Sequence, residues 1–229
     1  MGHKTNPIAN RIGYIRGWEG NWFAKKNDFA QKLHEDTKIR RYFEKEFPSS
    51  IARVLVARAS ENITLTVHTS RPGILIGPGG QKVQEIKKDL KKLVGKDVRV
   101  NIFEIKVPEL NATLVAKSIA TQISARSSYK RAASRALEDA MHVGAKGIKI
   151  AISGRLNGVE IARSMSFKKG RIPTQTLRAD VDFAKARANT TYGVIGVKVW
   201  LFTNEVYGKR DLSLSLEAAT TQKRSPRRR

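Results

Sequence analysis

Ile76-Gly77-Pro78-Gly79-Gly80-Gln81-Lys82 decides how this chain is read. An apolar run (Ile74, Leu75, Ile76) leads into the Gly-x-x-Gly turn, and a helical pattern (Val83, Ile86, Leu90, Leu93) follows it. Glycines at both ends of such a turn let the backbone fold tightly and present its N–H groups at a helix start. Those groups have no partner within the helix, and the helix dipole adds positive potential, so phosphate oxygens bind there well. A glycine turn can also be plain punctuation between elements, and its surroundings decide between the two. In a chain of formal charge +24 the phosphate is that of a nucleic acid backbone.

The remaining composition narrows the field. With 229 residues, 40% of them hydrophobic, the chain can build one or two cored domains. Its 44 Lys and Arg against 20 Asp and Glu suit a polyanionic partner. A membrane surface is the other candidate for such charge, but no apolar segment is long enough to span or anchor. The start, Met1-Gly2-His3-Lys4-Thr5-Asn6-Pro7, lacks the apolar stretch of a secretory leader, and Asn6 stands where a myristoylation motif needs Ser or Thr. There is no cysteine, hence no disulfide and no thiolate metal site. The expectation is a cytoplasmic, nucleic-acid-bound protein without cofactor or metal.

Outward from the turn, periodicity places the elements. Residues 1–27 form a basic arm without sustained period, in which Trp18 and Trp22 either pack on a core, the preferred reading, or stack on bases. A helix is predicted over 28–47, with Phe29 and Leu33 on one face, then Ile39, Phe43 and Phe47, ended by Pro48. Ile51 to Arg58 reads as a strand, as do the alternations Ile63, Leu65, Val67 and, after Gly95, Val98, Val100, Ile102. Pro108 marks a boundary. Helices are predicted over 111–126 and 128–143; the second buries Tyr129, Ala133, Ala136, Leu137, Ala140 and Met141, leaving Lys130, Arg131, Ser134, Arg135 and Glu138 opposite. Four strands should follow: Ile148, Ile150 and Ile152; then, past a reversal at Asn157-Gly158, Val159, Ile161, Met165 and Phe167; then Val181 and Phe183; then Val197, Val199 and Leu201. This is an α+β chain, its second domain two helices on an antiparallel four-stranded sheet. The expected division is an arm and helix at 1–37, a first domain at 38–107, a second at 108–210, and a basic, disordered tail at 211–229.

Catalysis finds little support. His3, His34, His68 and His142 are scattered without metal-ligand spacing, and no Walker A pattern occurs. Asp180 and Asp182, with Glu160, can in principle hold a divalent ion, but a solvated strand face paired with Arg178 or Lys185 is the stronger reading. No lysine is singled out for Schiff-base chemistry on abasic DNA. The basic groups speak more clearly. Lys130, Arg131 and Arg135 share a helix face suited to following a phosphate backbone; Lys168, Lys169 and Arg171 form a second group, and Arg155 and Arg163 flank the expected hairpin. With aromatics at 7%, binding should rest on backbone and shape more than stacking.

The order helix, strand, strand, short helix, Gly-x-x-Gly, helix, strand resembles the type II KH domain, whose loop (here Gly77, Pro78, Gly79, Gly80) clamps a single-stranded backbone. Pro78-Gly79 replaces the commoner basic residue in that loop and leaves the backbone contacts. More of the chain resembles one family, the KH-containing small-subunit ribosomal protein number three, of bacterial type. The likeness rests on Met1 to Pro7, Arg71-Pro72-Gly73-Ile74, Ser153 to Arg163, Thr176-Leu177-Arg178-Ala179-Asp180 and Thr191 to Trp200. It implies a non-enzymatic constituent of the small-subunit head that binds small-subunit rRNA, with Gly2, His3, Lys4, Asn6, Arg11, Arg155, Arg163, Lys168, Lys169, Arg171 and Arg178 as rRNA-binding candidates. It further implies neighbouring ribosomal proteins number ten and fourteen, and, with proteins four and five, a place beside the tunnel through which mRNA enters. The family's mRNA-contacting helix face maps onto Lys130 and Arg131; Ser134 replaces a further basic residue of the family, with Arg135 adjacent. A free-standing KH regulator of RNA is the remaining alternative.

Overall fold

A computed structural model describes residues 4–59 and 62–208. The expected tail at 211–229, Gly2 and His3 lie outside the described residues.

The first domain sets helices α1 (Lys26–Glu46), α2 (Pro72–Ile76) and α3 (Gln81–Val94) against strands β1 (Gly20–Asn21), β2 (Ile51–Ala59), β3 (Asn62–Thr69) and β4 (Val98–Glu104). The sheet order is β1-β2-β3-β4, antiparallel between β2 and β3 and parallel between β3 and β4. A parallel neighbour requires a crossover, and α2 and α3 supply it with the glycine turn between them. Ile39 and Phe43 of α1 and Ile86 and Leu90 of α3, each pair four residues apart, meet Val56, Leu65 and Val67 of the sheet in a buried core. The expected element order holds, and the boundary expected at 37/38 falls inside α1.

The turn of α1 nearer its start departs from expectation. Phe29 and Leu33 are half exposed, and the buried positions there are Glu35 and Asp36. Both carboxylates meet Arg58 of β2: Nη1 lies 2.5 Å from Glu35 Oε2, and Nε and Nη2 both donate to Asp36 Oδ1. A buried ion pair has displaced the apolar face that periodicity predicts. Trp22 completes the group by donating Nε1–H to Asp36 at 2.7 Å, which makes it a packing residue, whereas Trp18 is exposed. Leu93 is likewise exposed, and Val94 packs in its place.

The second domain packs α4 (Ala112–Ser124) and α5 (Tyr129–His142) on one face of an antiparallel sheet of order β6-β5-β8-β7, built from β5 (Gly147–Gly154), β6 (Arg163–Gly170), β7 (Ala179–Thr190) and β8 (Gly193–Glu205). Ile119, Ala133, Leu137 and Ala140 of the helices meet Ile148, Ile150, Ile152, Val197, Val199 and Leu201 of the sheet. Asn111 caps α4 by accepting from the N–H groups of Thr113 and Leu114.

One strand is shorter than expected. Asn157 and Gly158 both have positive φ, 59° and 81°, as a reversal there requires. Yet the ladder closes only at Gly154 opposite Arg163, so Val159 and Ile161 belong to the loop 155–162 and not to β6. Arg155 explains this: its guanidinium donates to the carbonyls of Val159, Gly158 and Tyr192, taking up acceptors that a longer ladder would use.

The arm ties the two domains together. Residues Gly20 and Asn21 run parallel to Val56 and Ala57, while Arg11 and Arg16 bind the second domain. Lys117 of α4 adds a hydrogen bond of 2.9 Å to the carbonyl of Ile51. A short-range reading of 1–27 finds no period because the contacts that fix the arm to the two domains are remote in sequence.

His68 of β3 makes a pH-dependent contribution. It stacks on Phe103 of the neighbouring strand, 5.7 Å between ring centres, and its Nε2 has no hydrogen-bond partner among the described residues. Burial, and secondarily Arg53, push its pKa from 6.5 down to about 4. Between these values the unfolded chain binds a proton that the folded chain refuses, so stability falls as pH drops through that window. Urea unfolding should therefore show a loss between pH 7 and pH 4.5 that is smaller in His68→Phe; an unchanged loss would place it elsewhere.

Candidate nucleic-acid interface

The glycine turn joins α2 to α3 as a KH loop does. Gly77 has φ 69°, and a Cβ there would lie 2.8 Å from Lys82 Cβ, so both the torsion and the close approach require glycine. Gly79 and Gly80 also adopt positive φ, with open space around them. Gly80 is the N-cap of α3 and offers no side chain to its first turn, where the Gln81 N–H donates to the Pro78 carbonyl. Lys82 is held over the Phe47 ring at 5.7 Å. Grip at the turn is therefore mainly a matter of backbone, with half-exposed Ile74 and Ile76 as flanking apolar surface.

On α5 the outcome matches the helical reading. Tyr129, Ala133, Leu137 and Ala140 are buried, and Lys130, Arg131, Ser134 and Arg135 are exposed on the other side. Neither Lys130, Arg131 nor Arg135 is in an ion pair with a described residue. The helix faces a depression of about 670 Å³ whose lining includes Arg126, Arg131 and Arg135, with Glu138 and Asp139 also on its wall. Arg126 escapes a reading by periodicity. It sits at the corner after α4 with φ 62°, a left-handed conformation uncommon for a side chain of this kind, and is exposed. Ser127-Ser128, interrupting two helical patterns, is the sequence signal that marks the corner.

A second depression, about 560 Å³, lies between the domains and is lined by Ser50, Ser70, Arg71, Ser118, Gln122 and Arg135 among others. The two depressions share Gln122, Arg135 and Asp139. Arg71 in turn is the N-cap of α2, the helix that ends at the glycine turn. The sequence alone does not reveal this second depression, because its two walls belong to different domains.

The other candidates divide. Lys4, Asn6, Arg163, Lys168 and Lys169 are exposed, and Asn6 also accepts from the N–H of Ile8. Arg171 and Arg178 are exposed but both engage Glu205. Hydrogen bonds from Tyr207 and Arg178 hold that carboxyl below its ordinary range. Arg11 is a correction. It is fully buried, and its guanidinium donates to the carbonyls of Pro7, Pro173, Thr174, Thr176 and Ala179, so it has no free donor face for RNA. Arg155 is similarly committed to its loop, over the Tyr192 ring. Asp180 and Asp182 pair with Arg16, each at 3.0 Å, instead of with Arg178 or Lys185, and Asp182 also accepts from the N–H of Ala112. No group of three potential metal ligands occurs among the described residues.

Comparison with known proteins agrees with this geometry. Residues 38–110 match the KH domain family, and residues 119–201 match the family described as Ribosomal protein S3, C-terminal domain. The chain is 56% identical over 214 residues to the small ribosomal subunit protein uS3 of Flavobacterium johnsoniae, covering 93% of this chain and 84% of the relative. It is 53% identical over 220 residues to that of Parabacteroides distasonis, covering 96% and 90%. With that of Porphyromonas gingivalis the identity is 47% over 227 residues, covering 99% and 92%.

Proposed function

The chain belongs to the uS3 family of small-subunit ribosomal proteins, and from that premise we propose that its α5 face guides mRNA into the subunit. Membership makes it a structural constituent of the small ribosomal subunit with an RNA-binding KH domain, and not an enzyme. The finer reading concerns which surface does what. Lys130, Arg131 and Arg135, joined by Arg126, carry the mRNA contact. The observation behind this is an exposed cationic helix face that no described carboxylate pairs with, opening on a depression of about 670 Å³. The depression between the domains, with Arg71 on its wall, extends the same path, and the turn at Gly77–Gly80 holds backbone phosphates through its backbone.

The rRNA contacts fall to the exposed cations outside that path, Lys4, Arg163, Lys168, Lys169, Arg171 and Arg178, with Asn6, Gly2 and His3 completing the amino-terminal group. In the assembled cytoplasmic particle the chain sits in the subunit head beside ribosomal proteins number ten and fourteen, with four and five nearer the mRNA tunnel. Binding by simple charge at α5, without base readout, suits a surface that must accept any message.

Charge reversal tests the assignment. In reconstituted subunits, Lys130→Glu with Arg131→Glu should slow translation of a message with a stable downstream hairpin by roughly an order of magnitude. An unstructured message should be translated normally, and the protein should still assemble. Undiminished translation through the hairpin would remove α5 from the mRNA path.

A further inference from the structure

The sheet of the second domain has two faces, and the helices cover only one. On the other face the strand register lines up three rows of side chains. Lys168, Lys149, Trp200 and Phe183 lie opposite one another across β6, β5, β8 and β7. The next row is Ser166, Ala151, Lys198 and Lys185. The third is Ser164, Ser153, Gly196 and Arg187.

This face has unusual chemistry for a solvated sheet. No position in the three rows is Asp or Glu. Lys149 stands directly opposite Lys168, and Lys185 directly opposite Lys198, juxtapositions that cost stability because like charges repel at cross-strand distances of about 4.5–5.5 Å. A surface serving solubility alone would mix signs. The rings supply a partial remedy: Lys149 Nζ lies 5.3 Å from the Trp200 ring centre and Lys185 Nζ 5.7 Å from that of Phe183. Phe183 and Trp200 are themselves in contact, 5.1 Å between ring centres, and both are partly buried, Trp200 against the buried Val181 and Phe202. Between the cations, the small residues Ser166, Ala151, Ser153 and Gly196 leave a shallow lane where a sugar–phosphate backbone can approach the sheet.

We propose that this open face is an RNA platform: small-subunit rRNA lies across it, its phosphates on Lys149, Lys168, Lys185, Lys198 and Arg187, and a base stacks at Trp200. The proposal rests on the reading of the chain as an rRNA binder and gives that binding a location distinct from α5, on the opposite side of the sheet. Uncompensated charge of one sign selects a polyanion, and paired aromatics on an open sheet suit a base that is not locked in a duplex.

Binding of the full chain to an in vitro transcript of the small-subunit head rRNA, by filter retention at several salt concentrations, tests it. The variant K149Q/K185Q/K198Q should bind about 10- to 100-fold more weakly, with the slope of log K against log salt shallower by about 2–3. Its melting temperature should equal or exceed that of the unaltered chain, since repulsion has been removed; this separates lost contacts from lost folding. In assembled subunits, ultraviolet irradiation should cross-link the peptide containing Trp200 to RNA. Equal affinity and slope for the sheet variant overturn the platform while leaving rRNA binding intact. Failure of the unaltered chain to bind overturns both. Carbodiimide cross-links from Lys149, Lys185 or Lys198 to carboxylates of a neighbouring protein would show an acidic protein surface on this face instead, and would also overturn it.

Discussion

Arg58→Ala lowers the unfolding free energy by about 3–5 kcal/mol, the expected consequence of stranding two buried carboxylates. The Arg58 side chain is 5% exposed, and those of Glu35 and Asp36 are 11% and 9%. Arg58 donates to both carboxylates and to the carbonyl of Lys32, and packs on Trp22 with 5.7 Å between its Cζ and the ring centre. Without it, Glu35 and Asp36 remain desolvated but lose nearly all compensation; Lys96, 4.0 Å from Glu35, is too distant for a hydrogen bond. Neutralising the carboxylates as well, in R58M/E35Q/D36N, should recover more than half the loss, because the new side-chain amide oxygen can still accept from Trp22 and no buried ion remains unpaired. Equilibrium urea unfolding of both variants measures this. A single-variant loss below about 1 kcal/mol would mean that the pair is solvated and contributes like a surface bridge.

The second large effect is local. Arg11→Ala should release the arm from the second domain, because five carbonyls lose a charged donor at once. Hydrogen bonds to a charged group contribute about 1.5–3 kcal/mol each in isolation, and a shared guanidinium yields less than their sum. The N–H groups of Tyr14, Ile15 and Arg16 all bond to the Arg11 carbonyl. Their hydrogen exchange should accelerate by about 100-fold, equivalent to about 3 kcal/mol of lost local stability. Amides at the centre of β5 should be nearly unaffected. Arg11→Lys should restore little, since a point-like ammonium cannot reach carbonyls spread around a planar fork. If exchange in the arm stayed slow, the Arg16 ion pairs to Asp180 and Asp182, together with the strand pairing at Gly20 and Asn21, would be what anchors it.

These two arginines show where sequence reading stops. Arg11 and Arg58 look the same as Lys130 or Arg131 in a composition count, yet two are buried in the fold and two are exposed on it. The partners that capture Arg58 lie 22 and 23 residues away on another element, and those of Arg11 mostly more than 160 away. No local pattern encodes such a meeting. The same limit explains why proximity in sequence pairs Asp180 and Asp182 with Arg178 or Lys185, when Arg16 reaches them from the arm.

Apolar spacing fared better. Ile148, Ile150 and Ile152 alternate into the core, and Tyr129, Ala133, Leu137 and Ala140 line one side of α5, as periods of 2 and 3.6 require. Among the positions where that rule failed, Phe29 and Leu33 lie in the helix whose Glu35 and Asp36 hold Arg58, Val159 and Ile161 lie in the loop held by Arg155, and Leu93 gives way to Val94.

The sequence by itself therefore determined most of the α+β elements, the glycine turn at Gly77–Gly80 and the cationic side of α5, because each follows from periodicity or torsion within one element. Tertiary structure alone decided which cations remain available to RNA, how the arm binds both domains, and that five cations and two rings share one open sheet face. Those outcomes depend on register and on remote charge partners, and hydrogen-bond geometry between distant elements is settled only when the chain has folded.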